Sequence, residues 1–289
     1  MLLNGKQLAQ KIRSELKNIV TKKNLNPGLG IILVGERVDS ATYVRMKKRA
    51  CDEVGIRNID VMLPETITQD ELISKVDELN DNVLVDGILI QLPLPKHIDE
   101  REVLNRVLPE KDVDGFNAIN IGSLALNDNP KLTPCTPTGV IRLLKEYDID
   151  LEGKDAVMVG RSNIVGMPLA LMLKNENATV TLCHSRTKDL SMYTKQADII
   201  ISACGKVNLI TADMVKEGVI IVDIGINSVP DATRKRGYRL VGDVDFENVK
   251  EKASFITPVP GGVGPMTIAM LLKHTIDSNL SLVNTNSPS

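Results

Sequence analysis

Paired cysteines, long apolar runs and blocks of one charge are all missing from this chain. Cys51, Cys135, Cys183 and Cys204 are scattered without a C-x-x-C pair, which argues against a zinc site and a disulfide framework and marks them as reduced core residues. No metal is expected. No segment approaches the ~18 consecutive apolar residues of a membrane helix. The N-terminus passes directly into an amphipathic pattern at Leu8, Ile12, Leu16 and Ile19, so no membrane partner is expected and the location is expected to be cytoplasmic. Lys and Arg number 35 against 37 Asp and Glu, a net charge of −2, and no basic run is interleaved with aromatics. A nucleic-acid partner is therefore not expected. No internal repeat is evident.

With 289 residues, 43% of them hydrophobic, the chain suits two modest cores. Strand and helix signals alternate through both halves, the pattern of parallel sheets covered on both faces. In the first half the strands are expected at 29–34, 57–62 and 87–90, with helices at 5–20, 40–54 and 70–79. In the second, strands at 157–159, 179–182, 199–202 and 219–223 alternate with helical stretches from Pro168, Thr187 and Ala212. Thr136-Pro137 suits an N-cap and first helical turn, and the tail from Ser281 is expected to fray.

The most informative segment is Lys154 to Pro168, a short apolar strand, a glycine turn and a helix start. Gly160 lets the chain turn, Gly166 permits a close approach, and the free N–H groups of the first helical turn attract anions. The spacing is looser than G-x-G-x-x-G and holds Arg161 and Ser162 within the turn, so taken alone it also fits an ordinary strand-helix connection. The next strand ends at Cys183-His184-Ser185-Arg186. An Asp or Glu ~20 residues after the glycine turn would grip a ribose 2′-hydroxyl. None is present, and Ser185 stands 25 positions after Gly160. With Arg161 and Arg186 this hydroxyl suits a 2′-phosphate, favouring NADP over NAD.

In parallel sheets ligands gather beyond the carboxyl ends of the strands. Tyr43 and Lys47 lie four apart on a helix expected to be capped by Asp39 or Ser40, and so share a face. Gln91-Leu92-Pro93-Leu94-Pro95 leaves the Gln91 amide at a strand exit. Lys111-Asp112-Val113-Asp114-Gly115 is a turn offering a carboxylate suited to an amidine-like N–H pair. Thr257 to Thr267 holds no charged residue, and its prolines and glycines suit a loop close to a flat ligand. Singly, each also reads as packing, a solvated charge or a plain turn.

Together, 40–47, 86–95, 111–115, 134–137, 160–166 and 257–267 resemble the signatures of the bifunctional methylenetetrahydrofolate dehydrogenase/cyclohydrolase family, over nearly the whole chain and in order. One departure is Arg37-Val38 ahead of Asp39-Ser40, which touches a helix start and no catalytic group. The resemblance implies two α/β domains around a cleft, the second a Rossmann-type NADP domain with a parallel sheet. Residues 1–139 with 266–289 would form the folate and catalytic domain with a returning C-terminal helix, and 140–265 the NADP domain. It implies oxidation of 5,10-methylenetetrahydrofolate with NADP, hydrolysis of the methenyl product to 10-formyltetrahydrofolate, and a homodimer. The implied catalytic set is Lys47, Gln91, Tyr43 and Asp114. Lys47 is the catalytic lysine, Gln91 orients it, Tyr43 stacks on the folate rings and Asp114 holds the pterin amine edge. Leu92, Pro260, Gly261 and Gly262 would line the folate site, and Gly160, Arg161, Ser162, Gly166, Ser185 and Ile226 would contact NADP, with Arg186 added from its position. A different NADP dehydrogenase would not need Lys47, Gln91 and Asp114 together, and a non-catalytic folate binder would not keep Lys47.

Overall fold

The computed structural model describes residues 1–234 and 237–285, without the side chains of Val38, Asp39 and 282–285. The chain divides into two compact units, one of Gln10–Cys135 with Ile268–Ser289 and one of Met1–Ala9 with Thr136–Thr267.

The elements of the first unit follow α1 (Gly5–Lys22), which enters it from Gln10: β1 (Gly28–Val34), α2 (Val38–Val54), β2 (Arg57–Leu63), α3 (Gln69–Asp81), β3 (Gly87–Ile90), α4 (Glu100–Arg106) and α5 (Ala118–Leu126). The strands form a parallel sheet in the order β2-β1-β3. Every residue of β1 and β3 is buried, as a sheet covered on both faces requires. Helix α3 starts where Thr68 and Glu71 form a capping box, the Thr68 Oγ1 accepting from the Glu71 amide at 3.3 Å and the Glu71 Oε2 from the Thr68 amide at 2.9 Å. Its apolar face, Leu72, Val76 and Leu79, packs with Ile32, Ile88 and Val103.

The second unit holds α6 (Cys135–Glu146, all but its first residue), β4 (Asp155–Val159), α7 (Gly166–Asn175), β5 (Thr179–Cys183), α8 (Ser191–Thr194), β6 (Ile199–Ser202), β7 (Ile220–Asp223), β8 (Asn227–Pro230), β9 (Tyr238–Val241), α9 (Phe246–Val249) and β10 (Phe255–Ile256). Helix α10 (Val263–Thr285) begins in it and continues into the first unit. Five strands form a parallel sheet in the order β10-β7-β6-β4-β5, and β8 with β9 make an antiparallel hairpin.

Several local expectations are corrected. Helix α2 starts at Val38 with Arg37 at its N-cap and no capping side chain, so Ser40 falls inside the first turn, where Ala41 N–H already bonds Arg37 O at 2.9 Å. The Asp39 side chain lies outside the described set. Helix α6 starts at Cys135, which puts Thr136 inside the helix, its hydroxyl 2.9 Å from that of Thr267. The helix expected from Thr187 shrinks to α8, because Thr187 closes a turn on His184 through both its amide (2.8 Å) and its hydroxyl (2.9 Å). At Ala212 a single 3-10 turn stands. The loop from Thr257 ends at Val263 as α10 begins, and α10 runs past Ser281, whose hydroxyl donates to Asp277 O at 3.0 Å. Residues 286–289 lie outside the described residues. Met1–Ala9, expected with the catalytic domain, group with the second unit because Leu3 N–H bonds Ile256 O at 2.9 Å and Ile256 N–H bonds Met1 O at 3.0 Å, extending the sheet at β10.

Asp86 ties the first unit together. Its buried carboxylate accepts from Gly28 N–H at 2.7 Å, at the start of β1, and from Asn279 Nδ2 at 3.1 Å, on α10. Asp86→Ala leaves both donors without an acceptor, which costs ~1 to 3 kcal/mol for a buried group. The expected result is a lower urea midpoint with an unchanged slope; an unchanged midpoint would show that water replaces the carboxylate.

Candidate active site

In the first unit the exits of β1 and β3 are flanked by α2 and by the 111–117 turn. Helix α2 presents Tyr43, 41% exposed, and the half-buried Lys47 four residues on. Lys47 Nζ donates to Gln91 Oε1 at 3.1 Å. Gln91 prolongs the ladder of β3 by one bond, its amide to Ile32 O at 2.9 Å. Its Nε2 donates to Leu92 O at 2.9 Å, which fixes the amide so that the oxygen faces Lys47. The Leu92 side chain packs onto the core below, and Leu92-Pro93 is a cis peptide bond.

The Asp114 turn hangs from the buried carboxylate of Asp112. That group accepts from Gly115 N–H (3.1 Å), Asn117 N–H (2.7 Å) and Asn120 Nδ2 (2.9 Å), and Lys111 O accepts from Ile88 N–H at 2.7 Å, binding the turn to β3. Part of Asp114 reaches the surface, but its carboxyl is densely surrounded. Burial raises its pKa to about 6, the Asp112 charge adds to the rise, and the charge of Lys47 opposes it. Beside it, the Cys135 thiol donates to Val113 O at 3.1 Å, and burial pushes that thiol well up. His274 Nδ1 donates to the same carbonyl at 3.0 Å, and its burial lowers the imidazole pKa. Tyr43, Lys47, Gln91, Leu92 and Asp114 thus belong to one unit.

The second unit gathers the residues expected to hold a nucleotide. Strands β4 and β5 pair with Val159 opposite Cys183, and Gly160 N–H bonds Cys183 O at 2.9 Å, so both exits lie side by side. Gly160 has φ of 121°, and a Cβ there would sit 2.6 Å from Ala203 O. A Cβ on Gly166 would run into Gly160 O. Ser162 Oγ accepts from the amides of Val165 (3.2 Å) and Gly166 (3.3 Å), closing the turn onto the first residues of α7. Arg161, Ser162, Ser185 and Arg186 are exposed at these exits. Ser185 and Arg186 sit in a turn held by Arg186 N–H on His184 Nδ1 at 3.1 Å, and the sequence from His184 to Thr187 carries no carboxylate. Ile226, 46% exposed, follows β7. Pro260, Gly261 and Gly262 belong to this unit as well: Gly262 N–H bonds Pro258 O at 2.8 Å, and Lys6 N–H bonds Gly261 O at 2.8 Å.

Sequence reasoning did not single out Asp112, His274, Asp223 or Asp243. A buried Asp in an Asp-x-Asp-Gly turn has a sequence signal, since Asx turns favour it. His274 has none, because its partner Cys135 stands 139 positions away.

Residues 3–114 match the model of the tetrahydrofolate dehydrogenase/cyclohydrolase catalytic domain, and 134–282 that of the NAD(P)-binding domain of the same family. The bifunctional protein FolD of Campylobacter jejuni is 54% identical over 286 residues, covering 98% of this chain and 99% of that protein. The chloroplastic bifunctional protein FolD 4 of Arabidopsis thaliana is 53% identical over 283 residues, covering 96% of this chain and 79% of that one. The crystal structure of the Trypanosoma brucei methylenetetrahydrofolate dehydrogenase-cyclohydrolase, complexed with NADP and an inhibitor, superposes with a TM-score of 0.94 at 40% identity, covering 98% of both chains. Both domains, in order and nearly end to end, make this chain a member of the tetrahydrofolate dehydrogenase/cyclohydrolase family.

Proposed function

We infer that this protein oxidises 5,10-methylenetetrahydrofolate to the methenyl form with NADP and then hydrolyses it to 10-formyltetrahydrofolate. The observation that carries this reading is the Lys47–Gln91 pair at 3.1 Å, in the unit that also holds the buried carboxyl of Asp114. The unit of Gln10–Cys135 with Ile268–Ser289 serves folate and catalysis, and the unit of Met1–Ala9 with Thr136–Thr267 serves the nucleotide. A homodimer, a cytoplasmic location and a role in supplying one-carbon units for purine synthesis belong to the same reading, and sedimentation of the purified protein tests the first. No helix among the described residues is long and apolar enough to cross a membrane.

The residues fit NADP. The N–H groups expected to be free at the start of α7 are taken up within the turn, Gly166 by Ser162 Oγ (3.3 Å) and Met167 by Ser162 O (3.0 Å), so the fit rests on Arg161 and Ser185 at adjacent strand exits and on the lack of an acid between His184 and Thr187. NADP when bound supplies the hydride acceptor. Arg161, Ser185 and Arg186 hold a 2′-phosphate, Ser162 and Gly166 shape the turn around a diphosphate, and Ile226 offers its backbone to the nicotinamide end. In the folate site Tyr43 stacks on the ring system, Asp114 accepts from the pterin amine edge, and Leu92 supplies an apolar wall. In the other unit, Pro260, Gly261 and Gly262 offer backbone that a flat ligand can approach. Hydrolysis of the methenyl cation moves a proton from attacking water and delivers one to a ring nitrogen. Lys47 does this, and Gln91, anchored on Leu92 O, keeps its amine aimed.

Three outcomes follow from these roles. Lys47→Met keeps the aliphatic length and removes the amine, so hydrolysis of the methenyl substrate should fall by ~10²- to 10⁴-fold while part of the dehydrogenase rate survives. Methenyl absorbance should then accumulate when methylenetetrahydrofolate and NADP are supplied together, and hydrolysis at the wild-type rate would remove Lys47 from the mechanism. For Asp114, protonation on the way down through about pH 6 removes the acceptor that the pterin edge needs. The kcat/KM for methylenetetrahydrofolate should decline on the acid side of that value, and Asp114→Ala should weaken folate affinity by ~1 to 3 kcal/mol with no such limb. An acid limb kept in the variant would belong to another group. Finally, if charged hydrogen bonds contribute ~1.5 to 3 kcal/mol, NADP should be favoured over NAD by ten-fold to over a hundred-fold in kcat/KM. Equal efficiency with both nucleotides would rule out the 2′-phosphate contacts.

A further inference from the structure

Two buried aspartates of the second unit have no part in the chemistry described above. Asp243, between β9 and α9, is fully buried, and Asp223, at the end of β7, is nearly so. Burying a carboxylate is costly unless its lone pairs are filled, and here they are filled in a specific direction. Asp243 Oδ2 accepts from Ser202 Oγ at 3.0 Å, Cys204 N–H at 2.7 Å and Gly205 N–H at 3.2 Å. Its Oδ1 accepts from Lys206 N–H at 2.9 Å and Asn227 Nδ2 at 3.1 Å. Four of these donors come from the exit of β6 and the turn after it, and the fifth follows Ile226 directly. Asp223 in turn anchors Asp243: its carboxylate accepts from Asp243 N–H (2.9 Å), Val244 N–H (2.9 Å) and Gly225 N–H (3.0 Å).

The segment gathered by Asp243 lies against the glycine turn. Ala203 N–H bonds Val159 O at 2.8 Å, and Ala203 O is the atom that a Cβ on Gly160 would strike. Moving Ala203 therefore moves the floor beneath Gly160. The packing leaves no slack, since a Cβ on Gly225 would run into the Asp243 carboxylate and one on Gly242 into that of Asp223.

We propose that Asp243 is a positioning residue for the nucleotide: its carboxylate locks the turn after β6 under the Gly160 turn and, through Asn227, sets the Ile226 backbone. This rests on the NADP reading above and adds to it a group that touches neither substrate nor cofactor. Asp243→Asn leaves one accepting oxygen and turns an NH₂ group towards N–H donors, so one side of the clamp opens.

The test measures NADP affinity by calorimetry, KM and kcat for the dehydrogenase, and hydrolysis of methenyltetrahydrofolate without nucleotide, in wild type, Asp243→Asn and Ser202→Ala. The expected result for Asp243→Asn is a Kd and KM for NADP raised about ten-fold or more, with hydrolysis within about two-fold of wild type. Ser202→Ala, which removes one of three donors on Oδ2, should shift NADP affinity in the same direction by a smaller factor. A purely structural role for Asp243 predicts a lower melting temperature and a parallel loss of both activities, or no change in NADP affinity, and either result overturns the proposal. If Asp243→Asn does not fold, the NADP KM of Ser202→Ala and of Asn227→Ala decides, and values equal to wild type overturn it. Absence of NADP binding by the wild-type protein would instead strike down the NADP reading itself.

Discussion

Strands buried on both faces leave peptide groups stranded where they end, and every turn that carries chemistry in this molecule must first satisfy those groups. The chain does so with buried aspartates. Asp86 closes the start of β1, Asp112 holds the Asp114 turn, and Asp223 and Asp243 hold the turns after β7 and β6. Each carboxylate is desolvated, and backbone amides and side-chain donors offset that cost. Satisfied in this way, the strand exits are rigid, and rigidity is what a hydride transfer and a directed proton transfer require of their supports.

The same arrangement separates supporting carboxylates from a working one. Asp112 and Asp114 are two residues apart and both pushed up by burial, and the oxygens of Asp112 are filled by the turn amides and the Asn120 side chain. Asp114 shares its surroundings with Lys47 and the Cys135 thiol. Burial holds its carboxyl near pH 6 although the Cys135 thiol donates to it, and a ligand bringing its own N–H pair would add donors there.

Much of this was legible in the sequence because it is local. The strands at 87–90 and 199–202 run between the residues read from their apolar pattern, and the helix expected at 70–79 lies within α3. The neighbouring exits of β4 and β5 followed from consecutive βα units, and the shared face of Tyr43 and Lys47 from helical spacing. What stayed hidden depends on partners far along the chain. Thr136 looked like a cap until Cys135 proved to be helical already. Met1–Ala9 carry no sign that they pair with β10. Asp243 reads as a polar residue in a Gly-Asp-Val turn, because its five donors come from residues 202–206 and from Asn227. The short elements α4, α5, α8 and α9 lack the length over which periodicity becomes a signal.

The interleaving of the two units along the chain has a consequence for synthesis. The unit that contains Met1–Ala9 and 136–267 cannot complete its sheet edge until β10 is made, since Met1 bonds Ser254, 253 positions later. The other waits longer, for α10 to bring Asn279 to Asp86 and His274 to Val113. At ~5 to 20 residues per second, the first strands emerge tens of seconds before their last partners. Each unit thus closes on a segment far along the chain from its first strand, the second at β10 and the first at α10.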